Sequence, residues 1–354
     1  MSDDLILSAN GRDVSGWEQI SVTLRAEGFP PSFEISASSL DPATGADLVV
    51  RPGDACVIKL GSDTVITGYV DRVANGGGAE SHGIRIVGRG KTQDLVDCSA
   101  EWDSGQIASA PVLDIAAKLA APYGIAVRLA NGASAGAAIP QTNITYGETG
   151  ASIIQRDAES VGLLAYEDPN GNLLLAAVGS AQAASGIVYG GNVENWSVEL
   201  SMDERFSEIV CTQLSQDLAG DLGEGGFFFD TEKDPNVPRH RRMYMSLEMA
   251  LIPRDFTIQK AKWEIARRAG RATSASATID SWRDSAGALW APNTLVPVSL
   301  PGLPANTALC ISEVTFRRDD SGTHADLALL PPYAFAPEPI SLQPFAIADV
   351  DPSA

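Results

Sequence analysis

Over roughly the first ninety residues, apolar and polar positions alternate in short runs. Ile20 to Leu24, Phe33 to Ala37, Ala55 to Leu60, Val65 to Val70 and His82 to Val87 each repeat with a period of two. That is the period of a half-buried strand, whose successive side chains face opposite ways. Gly and Pro break the runs at 28–31, 42–45, 52–53 and 76–78. Arg51-Pro52-Gly53-Asp54 reads as a tight turn and Asn75 to Gly78 as a hairpin tip, since Pro presets one turn dihedral and Gly supplies positive φ. Strands this short and this closely spaced predict a small barrel or sandwich over residues 1–95.

The period then changes. Ala110 to Tyr123 puts Val112, Ile115, Ala116, Leu119 and Ala120 on one helical face, with Pro111 at the start and Pro122-Tyr123-Gly124 as the stop. Ile125 to Leu129 alternates again, and Thr149 to Val161 spaces Ile153, Ile154, Ala158 and Val161 as a second helix. Leu163 to Tyr166 and Leu173 to Ala176 flank Asp168-Pro169-Asn170-Gly171-Asn172, and Asn-Gly between apolar runs is a strong hairpin signal. Residues 96–190 therefore read as an α+β module.

β texture returns from 191. Asp217 to Asp234 reads as a loop, with Gly220, Gly223, Gly225 and Gly226 leading into Phe227-Phe228-Phe229. Three consecutive Phe cannot all face one core from one strand, so at least one is expected to pack against another chain. Thr257 to Arg271 predicts a third helix with Ile258, Ala261, Ile265 and Ala269 inward and a basic outer face. Ser276 to Trp282, Thr294 to Leu300, Ala308 to Phe316 and Thr323 to Leu330 are the last strands, with Asp320-Ser321-Gly322 as a turn. The expected fold class is α+β, mainly β. Two small β-barrel-like domains, at 1–95 and 191–335, enclose the α+β insert at 96–190. Residues 336–354 form a Pro-rich acidic tail.

Charge narrows the function. The 354 residues hold 25 Lys and Arg against 45 Asp and Glu, a net −20. Affinity for phosphates comes from clustered cations, so such a chain is a poor nucleic-acid binder and a poor ligand for an anionic membrane. The acidic start at Met1-Ser2-Asp3-Asp4 lacks the cationic region of a cleaved leader, and no run of about 18 apolar residues occurs. One stretch opposes the trend. Between Arg239 and Arg283, ten cations face four acids, a local +6 that leaves the rest of the chain at −26. Arg239, Arg241, Arg242, Lys260, Lys262, Arg267 and Arg268 are its candidate interface residues, together with Phe227, Phe228 and Phe229. Two readings stand side by side: an attachment surface for acidic neighbours, or a solvated helix face.

Tests for chemistry single out nothing. Gly88-Arg89-Gly90-Lys91-Thr92 resembles the end of a phosphate-binding loop, but Arg85 stands where that loop needs its first Gly. No nucleophile elbow, zinc-protease helix or dinucleotide fingerprint is present. Cys56, Cys98, Cys211 and Cys310 are too dispersed for a metal knuckle; they read as small buried hydrophobes or as one or two disulfides. No cofactor, metal or catalytic residue is expected. Carboxylates are so numerous that some pair falls at any spacing, which leaves a glycan hydrolase acting through paired carboxylates as the alternative.

Several segments together resemble the Mu-type baseplate hub family of contractile-tailed phages. They are Val14-Ser15-Gly16-Trp17, Arg51-Pro52-Gly53-Asp54, Gly61 to Asp71, Gly88 to Ala100, Glu204-Arg205-Phe206-Ser207, Arg239-His240-Arg241-Arg242, Lys262-Trp263-Glu264 and Trp282 to Asn293. Near residue 90 the family more often carries Ser where Gly90 stands. The resemblance implies a non-enzymatic homotrimeric ring in which two barrel-like domains per chain match a sixfold tail tube to a threefold central spike. It implies tail-tube or tube-initiator proteins, baseplate wedge proteins and the spike as partners. It also implies a place in the virion after assembly in the host cytoplasm. On that reading the acidic excess is expected to line a channel through which DNA passes without sticking.

Overall fold

The computed structural model of the chain describes residues 4–38, 50–77, 82–102, 104–130, 132–136, 138–179, 181–214, 227–247 and 254–335. The tail at 336–354 and the expected turn at 42–45 lie outside the described residues.

The first unit is β, as its alternation predicts. Leu5–Ala9, which the sequence reading passed over, buries Leu5, Leu7 and Ala9 in strict alternation. Gln19–Arg25, Ser32–Ser38, Ala55–Leu60, Asp63–Gly77 and His82–Gly90 follow. Asp63–Gly77 runs through the start of the expected hairpin tip at 75–78 and pairs Gly77 with His82.

The mainly β expectation is met by a curled half-barrel sheet that takes strands from both ends of the chain. Along its main path the order is Val193–Leu200, Thr273–Ile279, Gly322–Leu330, Thr307–Asp319, Gln19–Arg25, Ser32–Ser38, His82–Gly90, Asp63–Gly77, Ala55–Leu60, Leu5–Ala9 and Arg12–Val14. The join lies where Thr307–Asp319 pairs antiparallel with Gln19–Arg25, setting Phe316 opposite Val22 and Thr315 opposite Thr23. The two β units also share one core. Ile20, Ile35, Ile58, Ile66 and Ile86 pack in the same cluster as Val296, Leu309, Val314, Phe316 and Leu327. Trp282 is wholly buried in it, edge-to-face with Phe316 at 6.0 Å, and its indole N–H donates to the His324 carbonyl at 2.9 Å. A buried indole keeps its fold-stabilising area only if that donor is satisfied.

The middle module has a second core. Helix α1, Gln93–Asp97, enters it through the fully buried Leu95. Helix α2, Val112–Ala120, buries the five apolar residues expected from its spacing, and Gly124 ends the following turn at φ 62°. Helix α3, Gly150–Ser160, is capped by the Thr149 hydroxyl, which accepts from the Ser152 amide at 3.2 Å. Leu164–Glu167 and Leu173–Ala176 form the expected hairpin. Asp168 closes it by accepting from the amides of Asn170 at 2.9 Å and Asn172 at 2.8 Å, the local bonding that makes Asp a turn residue.

A smaller layer sits beside these. Glu208–Leu214 is the centre of a three-stranded sheet, antiparallel to Phe227–Lys233 and parallel to Arg242–Leu247. Helix α4, Arg254–Arg271, lies on one face, where Ala261 meets Ile209 and Cys211. The expectation of a loop as far as Asp234 is corrected here. Phe227–Lys233 is a strand, because its β-rich run finds a complete ladder against Glu208–Leu214, and the glycines that suggested a loop all precede it. The four cysteines are free; Cys56, Cys211 and Cys310 are buried and Cys98 is exposed.

Candidate assembly interface

The segment that mimics a phosphate loop is the joint between the first β unit and the middle module. A Cβ on Gly88 would collide with the Phe33 ring, so the strand needs glycine there. The Arg89 guanidinium bridges Asp71 at 2.6 Å and Asp97 at 2.7 Å, tying the strand to the end of α1. Lys91 Nζ donates to the Gly124 carbonyl at 2.6 Å, and Thr67 Oγ1 donates to the Pro169 carbonyl at 2.8 Å. Glu167 takes the place a phosphate would need. Its carboxylate accepts from the amides of Lys91 at 3.1 Å and Thr92 at 2.8 Å, and from the Thr92 hydroxyl. Burial pushes its carboxyl up to about 7, against the Thr92 and Lys91 hydrogen bonds that pull it down. A Cβ on Gly90 would overlap the Glu167 carboxylate, so glycine at 90 and glutamate at 167 go together. Sequence reasoning missed Glu167, which arrives from a hairpin more than seventy positions away; the turn signal immediately after it was the only local hint.

The basic stretch divides. Arg242 pairs with Glu208 at 2.7 Å, Arg268 with Glu264 at 2.6 Å and Glu204 at 3.5 Å, and Lys262 with Glu232 at 3.8 Å. Arg241 donates to the Asp203 carbonyl at 2.5 Å and lies over the Phe206 ring with Arg268. Lys260 and Arg267 both lie over Trp263. Arg239 is exposed. Arg271, also in α4, reaches back to Glu27 in the first unit at 2.7 Å, and Gly270 admits the backbone of Ala334 where a Cβ would stand 2.6 Å away. Much of the local cationic excess is thus neutralised within the chain and fixes α4 to its own sheet and to the body.

Of the Phe run, the side chain of Phe229 is described. Phe229 is 59% exposed and lies on the sheet face opposite α4, and Tyr244 on Arg242–Leu247 is 60% exposed. Thr212 pairs with Phe229 and Val210 with Tyr244, so the two rings flank the central strand. Phe227 and Phe228 lie on the same strand at the next two positions toward its start.

One cleft among the described residues brings two carboxylates together. Glu27 and Glu159 line a cleft of about 200 Å³ with Gln155 and Arg271. Burial raises the Glu27 carboxyl, and the Arg271 guanidinium beside it pulls it down. That ion pair holds α4 against the body. Among the described residues no group of three or more His, Cys, Asp or Glu is placed to hold a metal ion.

Three family descriptions match consecutive parts of the chain. Residues 4–90 match "Mu phage baseplate assembly protein GpP-like, N-terminal", 92–177 match "Baseplate hub protein gp44-like, second domain", and 255–338 match "Mu phage baseplate assembly protein GpP, fourth domain". The baseplate hub protein gp44 of Escherichia phage Mu is 30% identical over 348 residues, covering 95% of this chain and 89% of that protein. The chain belongs to the Mu-type baseplate hub family. It is a baseplate hub protein of a phage tail. The 43 kDa tail protein of prophage MuSo2 from Shewanella oneidensis has the same fold, with a TM-score of 0.83 and 27% identity over 96% of this chain and all of that one. The tail protein from Neisseria meningitidis MC58 gives 0.77 at 24% identity, over 95% and 98% of the two chains. At 10% identity, the Escherichia coli c3393 protein, a type VI secretion component described as similar to T4 tail proteins gp27 and gp5, keeps a TM-score of 0.56 over 96% of this hub and 80% of its own length. The boundary between the first two matched regions, at 90/92, falls on the Arg89–Glu167 joint. Among the described residues no helix is long and apolar enough to cross a membrane.

Proposed function

We propose that this hub is a structural homotrimer at the centre of a contractile-tail baseplate, where it adapts the sixfold tail tube to the threefold central spike. The observation that carries the reading is the match to a baseplate hub over 95% of the chain, with a shared fold to match. The reading is supported by a half-barrel sheet that takes strands from both ends of the chain; two units per copy would make six per trimer. The tube or its initiator, the spike and the wedge proteins are its partners. The outer sheet face carrying Phe229 and Tyr244, with the exposed Arg239 beside the same layer, is a surface for those neighbours. The protein is assembled in the host cytoplasm and remains in the virion. Its net charge of −20 per copy suits the wall of a DNA conduit, since like charge keeps the phosphate backbone sliding. It performs no catalysis. Native mass measurement of the full chain, followed by imaging of particles reconstituted with spike and tube proteins, tests this. A threefold ring between tube and spike is expected; a stable monomer that also fails to join either protein would overturn it.

A further inference from the structure

We propose that the α4 layer is a lever. It turns on the two chain crossings at Leu200–Ser201 and Ala272–Thr273, and the Arg271–Glu27 pair is the latch that fixes its angle to the body.

The layer is an excursion from between two neighbouring strands. Val193–Leu200 pairs antiparallel with Thr273–Ile279, which sets Leu200 opposite Thr273, and the Ser201 amide donates to the Ala272 carbonyl at 2.8 Å. The chain therefore leaves the body and returns to it side by side, through a two-strand neck. Beyond the neck the layer has a core of its own, in which Ile209, Cys211 and Ala261 pack with Phe206, Met243, Met245 and Ile265. The Arg205–Asp234 and Arg268–Glu264 pairs, each at 2.6 Å, also lie wholly within it. Among the described residues no buried apolar cluster takes members from both layer and body.

Two contacts at the C-terminal end of α4 hold the layer to the body. Gly270 lies against the backbone of Ala334, and Arg271 reaches Glu27 at 2.7 Å. Earlier along the helix, Trp263 and Arg267 share a cleft with Glu159, Gly162 and Leu163. An interface that is neither large nor apolar lets two units move against each other, and hinges are a few residues at the ends of elements, as these are. The latch suits release: its side chains are 40% and 37% exposed, and exposed ion pairs hold weakly. An 18-residue helix is about 27 Å long, so a turn of about 10° at the neck moves its far end by about 5 Å.

Glu27 is well placed to feel such a motion. The Ala26 amide beside it donates to the Ser312 carbonyl at 2.8 Å and the Gly28 amide to the Ala165 carbonyl at 3.3 Å, so the latch lies between the joined β units and the middle module. The layer's outer face carries the exposed Phe229 and Tyr244. A neighbour bound there holds the arm of the lever; that use rests on the assembly reading, whereas the hinge does not.

Pulsed electron–electron distance measurement on the full chain tests it. Spin labels go on Thr231→Cys in the layer and Ala117→Cys in α2, both exposed positions, in a Cys98→Ser background that removes the exposed native thiol. Labelled chain is diluted with unlabelled chain, so that distances are read within one copy. With the latch intact, one narrow distance is expected. Arg271→Ala and Glu27→Gln should each broaden it or add a second distance about 5 Å away, and Glu27→Arg with Arg271→Glu should restore it. Salt at about 1 M should broaden it with no change at the latch residues, which decides the matter if the variants misfold. Labels on Thr231→Cys and Gln259→Cys, both in the layer, should keep one distance throughout. A merely stabilising ion pair would lower Tm and leave the first distance unmoved. Distributions that are the same with the latch intact, removed or screened overturn the lever. Broadening between the two labels within the layer means local unfolding and overturns it too.

Discussion

Replacing Glu167 by glutamine probes the joint through its pH dependence. The native carboxyl, held in the fold by Lys91 and Thr92, titrates near 7 because burial outweighs its hydrogen bonds, whereas in the unfolded chain it returns to 4.5. Between those values the folded state holds a proton that the unfolded state has lost. Stability from this group is therefore fully present below about pH 4.5 and is lost as pH rises through about 7. Integrated from pH 5 to pH 8, the loss is about 2.5 kcal/mol. The glutamine side chain carries no titration. The difference in unfolding free energy between native and E167Q chains should therefore shift by that amount across the interval, in favour of the variant at high pH, whatever its offset from imperfect pairing with the two amides. Urea unfolding followed by circular dichroism at pH 5, 6, 7 and 8 reads it, and other titrating groups cancel in the difference. Two parallel curves would refute the reasoning, since they would mean that the three donors hold the carboxylate charged at its ordinary value.

Arg205→Ala should leave the buried Asp234 carboxylate, now paired at 2.6 Å, without a counter-charge. A cost of about 3–5 kcal/mol should appear as a lowered Tm and faster chymotryptic cleavage around the small sheet. In native protein one of the four thiols, Cys98, should react rapidly with a disulfide reagent. Burial pushes Cys56 up to about 12 and Cys211 and Cys310 up to about 11, so these should react only on unfolding. Phe229→Ser with Tyr244→Ser removes exposed rings rather than core, so Tm should change by little while capture of a neighbouring baseplate protein in reconstitution is lost. Unchanged capture would remove that face from the assembly surfaces.

Local pattern makes the separate pieces legible. Strict alternation marks Gln19–Arg25, Ser32–Ser38 and Ala55–Leu60, because strand burial has period two and their register needs only one apolar face. Helix α2 follows from its apolar spacing with Pro111 before it and Gly124 after it, and the Asp168 hairpin from its turn chemistry. The Phe227–Lys233 strand escapes the pattern because glycines dominate the segment before it, and the ladder that makes it a strand is supplied by residues elsewhere in the chain. Glu167 is invisible for the same reason. A carboxylate that caps distant amides leaves no periodicity, only a geometric coincidence created by folding.

Side-chain period and composition alone were enough for the mainly β class, the helical insert and an acidic chain, because each is a property of neighbouring positions or of totals. Resemblance along the chain was enough to place it among tail hubs. The three-dimensional arrangement was needed to show that strands nearly three hundred residues apart form one sheet with one core, and that the basic stretch is largely neutralised at home. It was needed, too, to show that Trp196 and Leu200 are exposed on a strand at one end of that sheet's main path among the described residues. Each of these is a fact about which distant groups become neighbours, and nothing in local pattern encodes a neighbour.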